Sequence, residues 1–233
     1  MDLSAKISLA LSIVELLIAS WAYFKFERTR LSRLVVNLLI LLGLTHFFEY
    51  QFCSFGNFNL WGKISFIAYI LIPSLVLYYA CQEVLNKKII WLFIPYLGFT
   101  LTALILKRFS ILGECHFGLS LVYNYFFFGA KSLWPSILNF SYIALYSCIS
   151  SGLLFYGSKK IFNEKRKIYL YIGSSIFLSF TVSTLLVVIK PNLGMYYPSI
   201  INHFLASYLF TGIASLYLEK KIIDQAKQKN PGY

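Results

Sequence analysis

Charge is what this sequence has least of. Only 13% of its 233 residues are Asp, Glu, Lys or Arg, and the acids number nine, whereas an ordinary soluble domain is roughly a quarter charged. Such a chain cannot cover a globular surface with polar groups, so a soluble domain, a disordered chain and a nucleic-acid-binding domain are all excluded. Cysteine is scarce too: four residues with no Cys-x-x-Cys pair, and three histidines with no His-x-x-x-His pair. A disulfide-stapled miniprotein and the common zinc spacings are therefore absent. No Gly-x-Ser-x-Gly, His-Glu-x-x-His or P-loop pattern occurs, which leaves a soluble-type hydrolase or a nucleotide-driven pump without support. Internal repeats and strand-period alternation are not evident either.

What is present is apolar. Hydrophobic residues make up 58% of the chain and aromatics 19%, and the mean hydropathy is +0.68. The few charges fall in short clusters between long apolar runs, the pattern of an integral membrane protein. A hydrocarbon core of roughly 30 Å needs about 20 apolar residues per helix. Seven runs qualify, at about 4–24, 34–53, 63–82, 88–107, 134–156, 168–189 and 198–218. The expectation is an all-α, polytopic, seven-transmembrane-helix bundle over 1–218, followed by a short basic tail at 219–233.

Orientation follows from where the cations lie. One side receives Lys25, Arg28, Arg30, Arg33, Lys87, Lys88, Lys159, Lys160, Lys165, Arg166, Lys167, Lys220, Lys221, Lys227 and Lys229, fifteen in all, against six on the other side. The N-terminus is therefore expected outside and the C-terminus in the cytoplasm, in a multi-pass protein of the cytoplasmic (inner) membrane. Glu15, in the middle of the first run, argues for a retained span over a signal peptide. The tail after Glu219 is too short for a catalytic output module. The longest connection, 108–133, contains an uncharged stretch of 14 residues from Phe117 to Ala130. That is too short to span, so an interfacial or re-entrant segment is expected there.

Ionisable residues within such helices are costly and mark candidate sites. Helix 1 carries Glu15, helix 2 carries His46 and Glu49, and helix 7 carries His203. A spacing of three places His46 and Glu49 on one helical face. By rise per residue they and His203 fall in the outer third, below His116 of the outer loop. Two readings stand side by side: an outward-open ligand pocket lined by His46, Glu49, His203 and His116, or buried hydrogen bonds that lock helices together. Glu15 is read in the same two ways, as a proton relay or as a carboxylic acid bonded to a neighbouring helix. Cys53 and Cys115 are the two cysteines on the oxidising side, and two readings stand for them, a disulfide that ties the outer loop to helix 2 or two unpaired thiols; Cys81 and Cys148 read as apolar packers. Pro73 and Pro95 are expected to kink helices 3 and 4. The last run has no lysine in its core, which speaks against a retinal Schiff base.

The opening Met1-Asp2-Leu3-Ser4-Ala5, the segment Gly43-Leu44-Thr45-His46-Phe47-Phe48-Glu49-Tyr50 and the stretch Ile70-Leu71-Ile72-Pro73 resemble a family of small bacterial seven-helix membrane proteins. That family opens Met-Cys-Phe-Ser-Ala and carries Gly-x-Gln-Gln-x-x-Glu-Gly in helix 2 and Trp-Pro in helix 3. Gly43 and Glu49 match, whereas Asp2 replaces the Cys, Thr45 and His46 replace the Gln pair, and Tyr50 replaces the Gly. The resemblance implies a fold and supplies no activity. The helix pattern is also similar to the seven-helix input module of bacterial sensor kinases, whose kinase this chain lacks. The functional expectation is a ligand-binding or sensory protein whose pocket opens to the outer face, surrounded by membrane lipids and working with a cytoplasmic or membrane signalling partner, without a cofactor. The alternatives are an intramembrane lipid-acting enzyme using Glu49, His46 and His203, and a small transporter.

Overall fold

A computed structural model of the chain describes residues 3–55, 58–105, 111–116, 119–124, 134–161, 164–189 and 208–229. These form α1 (Leu3–Lys25), α2 (Arg30–Phe55), α3 (Phe58–Val84), a 3-10 turn (Ile90–Phe93), α4 (Ile94–Ile105), α5 (Trp134–Lys160), α6 (Glu164–Ile189) and α7 (Tyr208–Lys229), with a β-hairpin between α4 and α5. The first, second, third, fifth and sixth apolar runs each fall within a helix, the fourth divides between the 3-10 turn and the 12-residue α4, and the seventh overlaps α7; its first part lies outside the described residues. Four helices, over Ala5–Lys25, Arg30–Phe55, Leu60–Val84 and Glu164–Leu186, are long and apolar enough to cross a membrane. The chain is thus a helical membrane protein.

The packing order is nearly a ring. α2 packs on α3, α3 on α5, α5 on α6 and α6 on α7, which returns to α2. α1 lies against α2, and α4 against α3. The ring closes around one core that draws Val35, Leu39, Ile72, Leu154, Ile172 and Leu216 from five different helices. The opposite faces carry exposed Leu17, Phe24, Trp91, Leu101, Phe177 and Phe210, the surface expected where the surrounding solvent is hydrocarbon.

Several sequence expectations are corrected. The fold is all-α, but the connection expected to be interfacial or re-entrant carries a small hairpin: β1 (Ile111–His116) and β2 (Leu119–Asn124) pair antiparallel, with Ile111 opposite Asn124 and His116 opposite Leu119. The backbone of β1 rests on α3 and α1. Each strand has six residues, too few for a period of two to stand out in an oily segment. α7 continues to Lys229, so the basic residues from Lys220 onward lie in its last turns. Pro73 lies inside α3, but Pro95 is the second residue of α4, where a missing N–H costs no helical hydrogen bond. Cys81 is buried as expected, whereas Cys148 is exposed on α5.

Beside Pro73 a small polar seam replaces the weakened helix ladder. The Tyr142 hydroxyl donates to the Ile70 carbonyl at 2.7 Å and meets Ser74 Oγ at 2.8 Å. Ser74 in turn lies 2.8 Å from the Leu92 carbonyl, so α3, α5 and the 3-10 turn are joined at one point.

The lysine- and arginine-rich end gathers Glu27, Glu83, Glu164 and Glu219. Glu83 receives Lys165 at 3.0 Å, Arg30 at 3.8 Å and the Tyr169 hydroxyl at 3.2 Å. The turn between α1 and α2 is fixed by Thr29, whose Oγ1 caps α2 by accepting the Ser32 N–H at 3.0 Å and donates to Glu219 at 2.7 Å.

Candidate functional site

One face of α1 is built of small or polar residues at helical spacing: Ala5, Ser8, Ser12, Glu15, Ala19 and Ala22 are all buried. It meets the face of α2 that carries Leu39, Leu42, His46 and Glu49, also buried. Small residues let two helix backbones approach closely in a membrane. The closeness is visible at Gly43, where an added Cβ would lie 2.8 Å from Leu16 Cγ and 3.4 Å from the Ser12 carbonyl oxygen.

Within this interface Glu15 Oε2 lies 2.8 Å from His46 Nδ1, with both side chains 0% exposed. One turn along, Ser8 Oγ donates to Glu49 Oε2 at 3.4 Å, and Glu49 is 3% exposed. Thr45 returns its hydroxyl to the Leu42 carbonyl at 2.7 Å. The second carboxylate oxygen of Glu15, Oε1, has no hydrogen-bond partner among the described residues. Two carboxyl groups and an imidazole thus share one buried interface. Chemically this arrangement can hold a proton between acid and base and can pass it over a distance of one hydrogen bond.

The sequence-predicted residues distribute as follows. His46 and Glu49 share a buried face, as their spacing predicts, and Glu15 joins them. His203 lies outside the described residues, and so does the side chain of His116, whose backbone is the last position of β1. Cys53, near the end of α2, is disulfide-bonded. Three clefts in the described part of the bundle are lined by other residues. Among the described residues no three His, Cys, Asp or Glu come together closely enough to hold a metal ion.

Sequence reasoning kept Glu15 and His46 at different depths, and the physical reason it missed their contact is side-chain direction. Every Cα–Cβ bond leans toward the N-terminus of its own helix. In the antiparallel pair, Glu15 leans away from the α1–α2 turn while His46 leans toward it, which closes the gap that rise per residue suggested. The small-residue face of α1 was the available signal for which partner it meets.

No protein-family model, no curated protein and no solved structure matches the chain.

Proposed function

We propose that the chain is a seven-span sensory or ligand-binding protein of the cytoplasmic membrane, N-terminus outside, whose responsive element is the Glu15–His46–Glu49 cluster between α1 and α2. One observation carries this reading: the number of ionisable groups in the interface exceeds what a helix clamp needs. Joining two helices takes one donor and one acceptor, and each further ionisable group in a membrane interior adds cost. Here two carboxyl groups and an imidazole occupy about two turns of one helix pair, and Glu15 retains an unused acceptor. A group whose charge changes in such a place biases the packing of both helices, which is how a binding event is converted into a shift between conformations.

The positive-inside bias supports the orientation, with the basic end as the face toward a cytoplasmic or membrane signalling partner. The resemblance of the helix pattern to sensor-kinase input modules agrees with this role, and that to small bacterial seven-helix proteins with the fold. We also assign Cys115 as the partner of Cys53, since Cys81 and Cys148 are free thiols and the chain has four cysteines. The bond would tie the hairpin over the outer end of α2, above Glu49.

The test uses the full chain in nanodiscs and protons as the first probe. The melting temperature and the His46 ring-nitrogen resonances are followed between about pH 5 and 8, where histidine titrates, in wild type, Glu49→Gln and His46→Gln. The expected outcome is a pH-dependent shift in wild type that Glu49→Gln reduces and His46→Gln abolishes. If all three proteins give the same profile, the cluster is a fixed clamp and the sensory reading falls.

A further inference from the structure

A cleft opens at the basic end of the bundle between the first half of α2 and the last half of α3. It is lined by Arg30, Arg33 and Asn37 from α2, Tyr78 and Gln82 from α3, and Lys88 beyond it, with Leu34 and Leu75 in its walls, and its volume is about 450 Å³. Three cations and no acid contribute to the lining. Arg30 is partly engaged, by Glu83 at 3.8 Å and the Gln82 carbonyl at 3.2 Å. Arg33 makes only a 3.3 Å bond from Nε to the Thr29 carbonyl, and neither Arg33 nor Lys88 has a carboxylate partner among the described residues. Elsewhere at this end Lys165, Lys167, Lys221 and Lys227 are each paired with a glutamate.

The chain is shaped to bring these cations together. Asn86 adopts a positive φ of 53°, a conformation asparagine tolerates better than most residues, and Lys87 N–H reaches back to the Cys81 carbonyl at 3.3 Å. That reversal delivers Lys88 to the mouth of the cleft, opposite the start of α2. The N-terminal turn of a 26-residue helix adds its partial positive charge at the same place. From Arg30 to Asn37 the cleft follows α2 for about 10 Å toward the apolar zone, passing from Arg30 and Arg33 by Leu34 to Asn37 on one wall and from Gln82 by Tyr78 to Leu75 on the other.

We propose that this cleft binds a phosphate-bearing anion, with Arg30, Arg33 and Lys88 on the phosphate and Asn37, Tyr78 and Gln82 on the polar group esterified to it. The shared chemistry admits two sources, the headgroup of an anionic phospholipid or a soluble phosphate ester, and the leucine walls extend the site toward a lipid's glycerol and chains. Basic pockets between membrane helices on the cytoplasmic side hold anionic headgroups by the same means. The site is independent of the buried α1–α2 cluster.

The experiment is native mass spectrometry of the delipidated full chain, titrated with phosphatidylglycerol, with phosphatidylcholine, and separately with glycerol 3-phosphate. Wild type, Lys88→Gln, Arg33→Gln/Lys88→Gln and Lys159→Gln/Lys160→Gln are compared; the last removes two exposed cations from the same end, outside the cleft. Wild type is expected to bind phosphatidylglycerol in preference to phosphatidylcholine. The cleft double variant should weaken that binding about 30-fold and the single variant about fivefold, while Lys159→Gln/Lys160→Gln retains it. Saturable glycerol 3-phosphate binding without lipid preference, lost in the cleft variants, assigns a soluble source. Equal loss in both double variants, or no phosphate binding of either kind, overturns the proposal. Lys88 is exposed and makes no described contact, so its single variant keeps the test decisive if the double variant fails to fold.

Discussion

Glu15 with His46 and Glu27 with Lys227 have nearly the same geometry in opposite surroundings. The first pair meets at 2.8 Å with both side chains fully buried. The second meets at 2.6 Å with 63% and 56% of its side chains exposed. Distance alone would rank the second pair as stronger, and surroundings reverse that ranking. At the exposed pair, water and salt screen the attraction and compete for both groups. In the core neither partner has water to return to, so removing one leaves the other buried and uncompensated. Glu15→Ala should therefore destabilise the protein by about 3–5 kcal/mol, read as unfolding free energy in mixed micelles, while Lys227→Ala should produce no measurable change. The comparison sharpens with Glu15→Leu/His46→Leu: replacing both partners with apolar groups should recover most of the loss. A double variant as unstable as the single would mean that the cluster's other members, Ser8 and Glu49, depend on the pair.

The same interface can be broken without touching charge. Gly43→Ala places a Cβ 2.8 Å from Leu16 Cγ and 2.9 Å from its Cδ2, so the two helices must part or Leu16 must leave its rotamer. Overpacking of this kind costs about 1–3 kcal/mol, measured as the change in unfolding free energy. It should also disturb the His46 ring resonances if the helices separate. His46 and Glu49 were legible because a spacing of three fixes a shared face whatever the helix packs against. Glu15 was legible as an inward-facing acid but not as a partner of His46, because the contact depends on two side chains leaning past each other. For the helices, apolar run length carried the information: five of the seven runs fall within helices, and cation clusters mark their ends. The hairpin was not legible, since its backbone pairing replaces a hydropathy contrast that strands of six residues in an oily loop cannot show.

Between the two extremes stands Glu83, whose side chain is 11% exposed and takes Arg30 from α2 and Lys165 and the Tyr169 hydroxyl from α6. Glu83→Gln keeps the shape and one acceptor but removes the charge that holds two cations. It should cost about 1–2 kcal/mol, less than Glu15→Ala and more than Lys227→Ala, and the loss should shrink when salt is raised, because Lys165 and Arg30 are half in water. An effect independent of salt would place Glu83 with the buried pair.

A smaller effect than that of Glu83 belongs to Glu219, and it is best seen as a slope against pH. Burial between α7 and the α1–α2 turn pushes its carboxyl above the ordinary value of 4.5, and the Thr29 hydroxyl that donates to it at 2.7 Å pulls part of the way back. A carboxyl with a raised pKa holds its proton more tightly in the folded chain than in the unfolded one. Its contribution to stability is therefore full below about 4.5 and is lost as pH rises through the folded value. Wild type should lose stability relative to Glu219→Gln between about pH 4.5 and neutrality, and the two should converge in acid. Gln can still accept from Thr29, so the turn survives and the readout is the ionisation alone. Thermal unfolding at a series of pH values measures it. A steeper gain for wild type with rising pH would mean that Lys165 outweighs burial at this carboxyl, and Glu219 would then belong with Glu83 among the groups held by nearby cations.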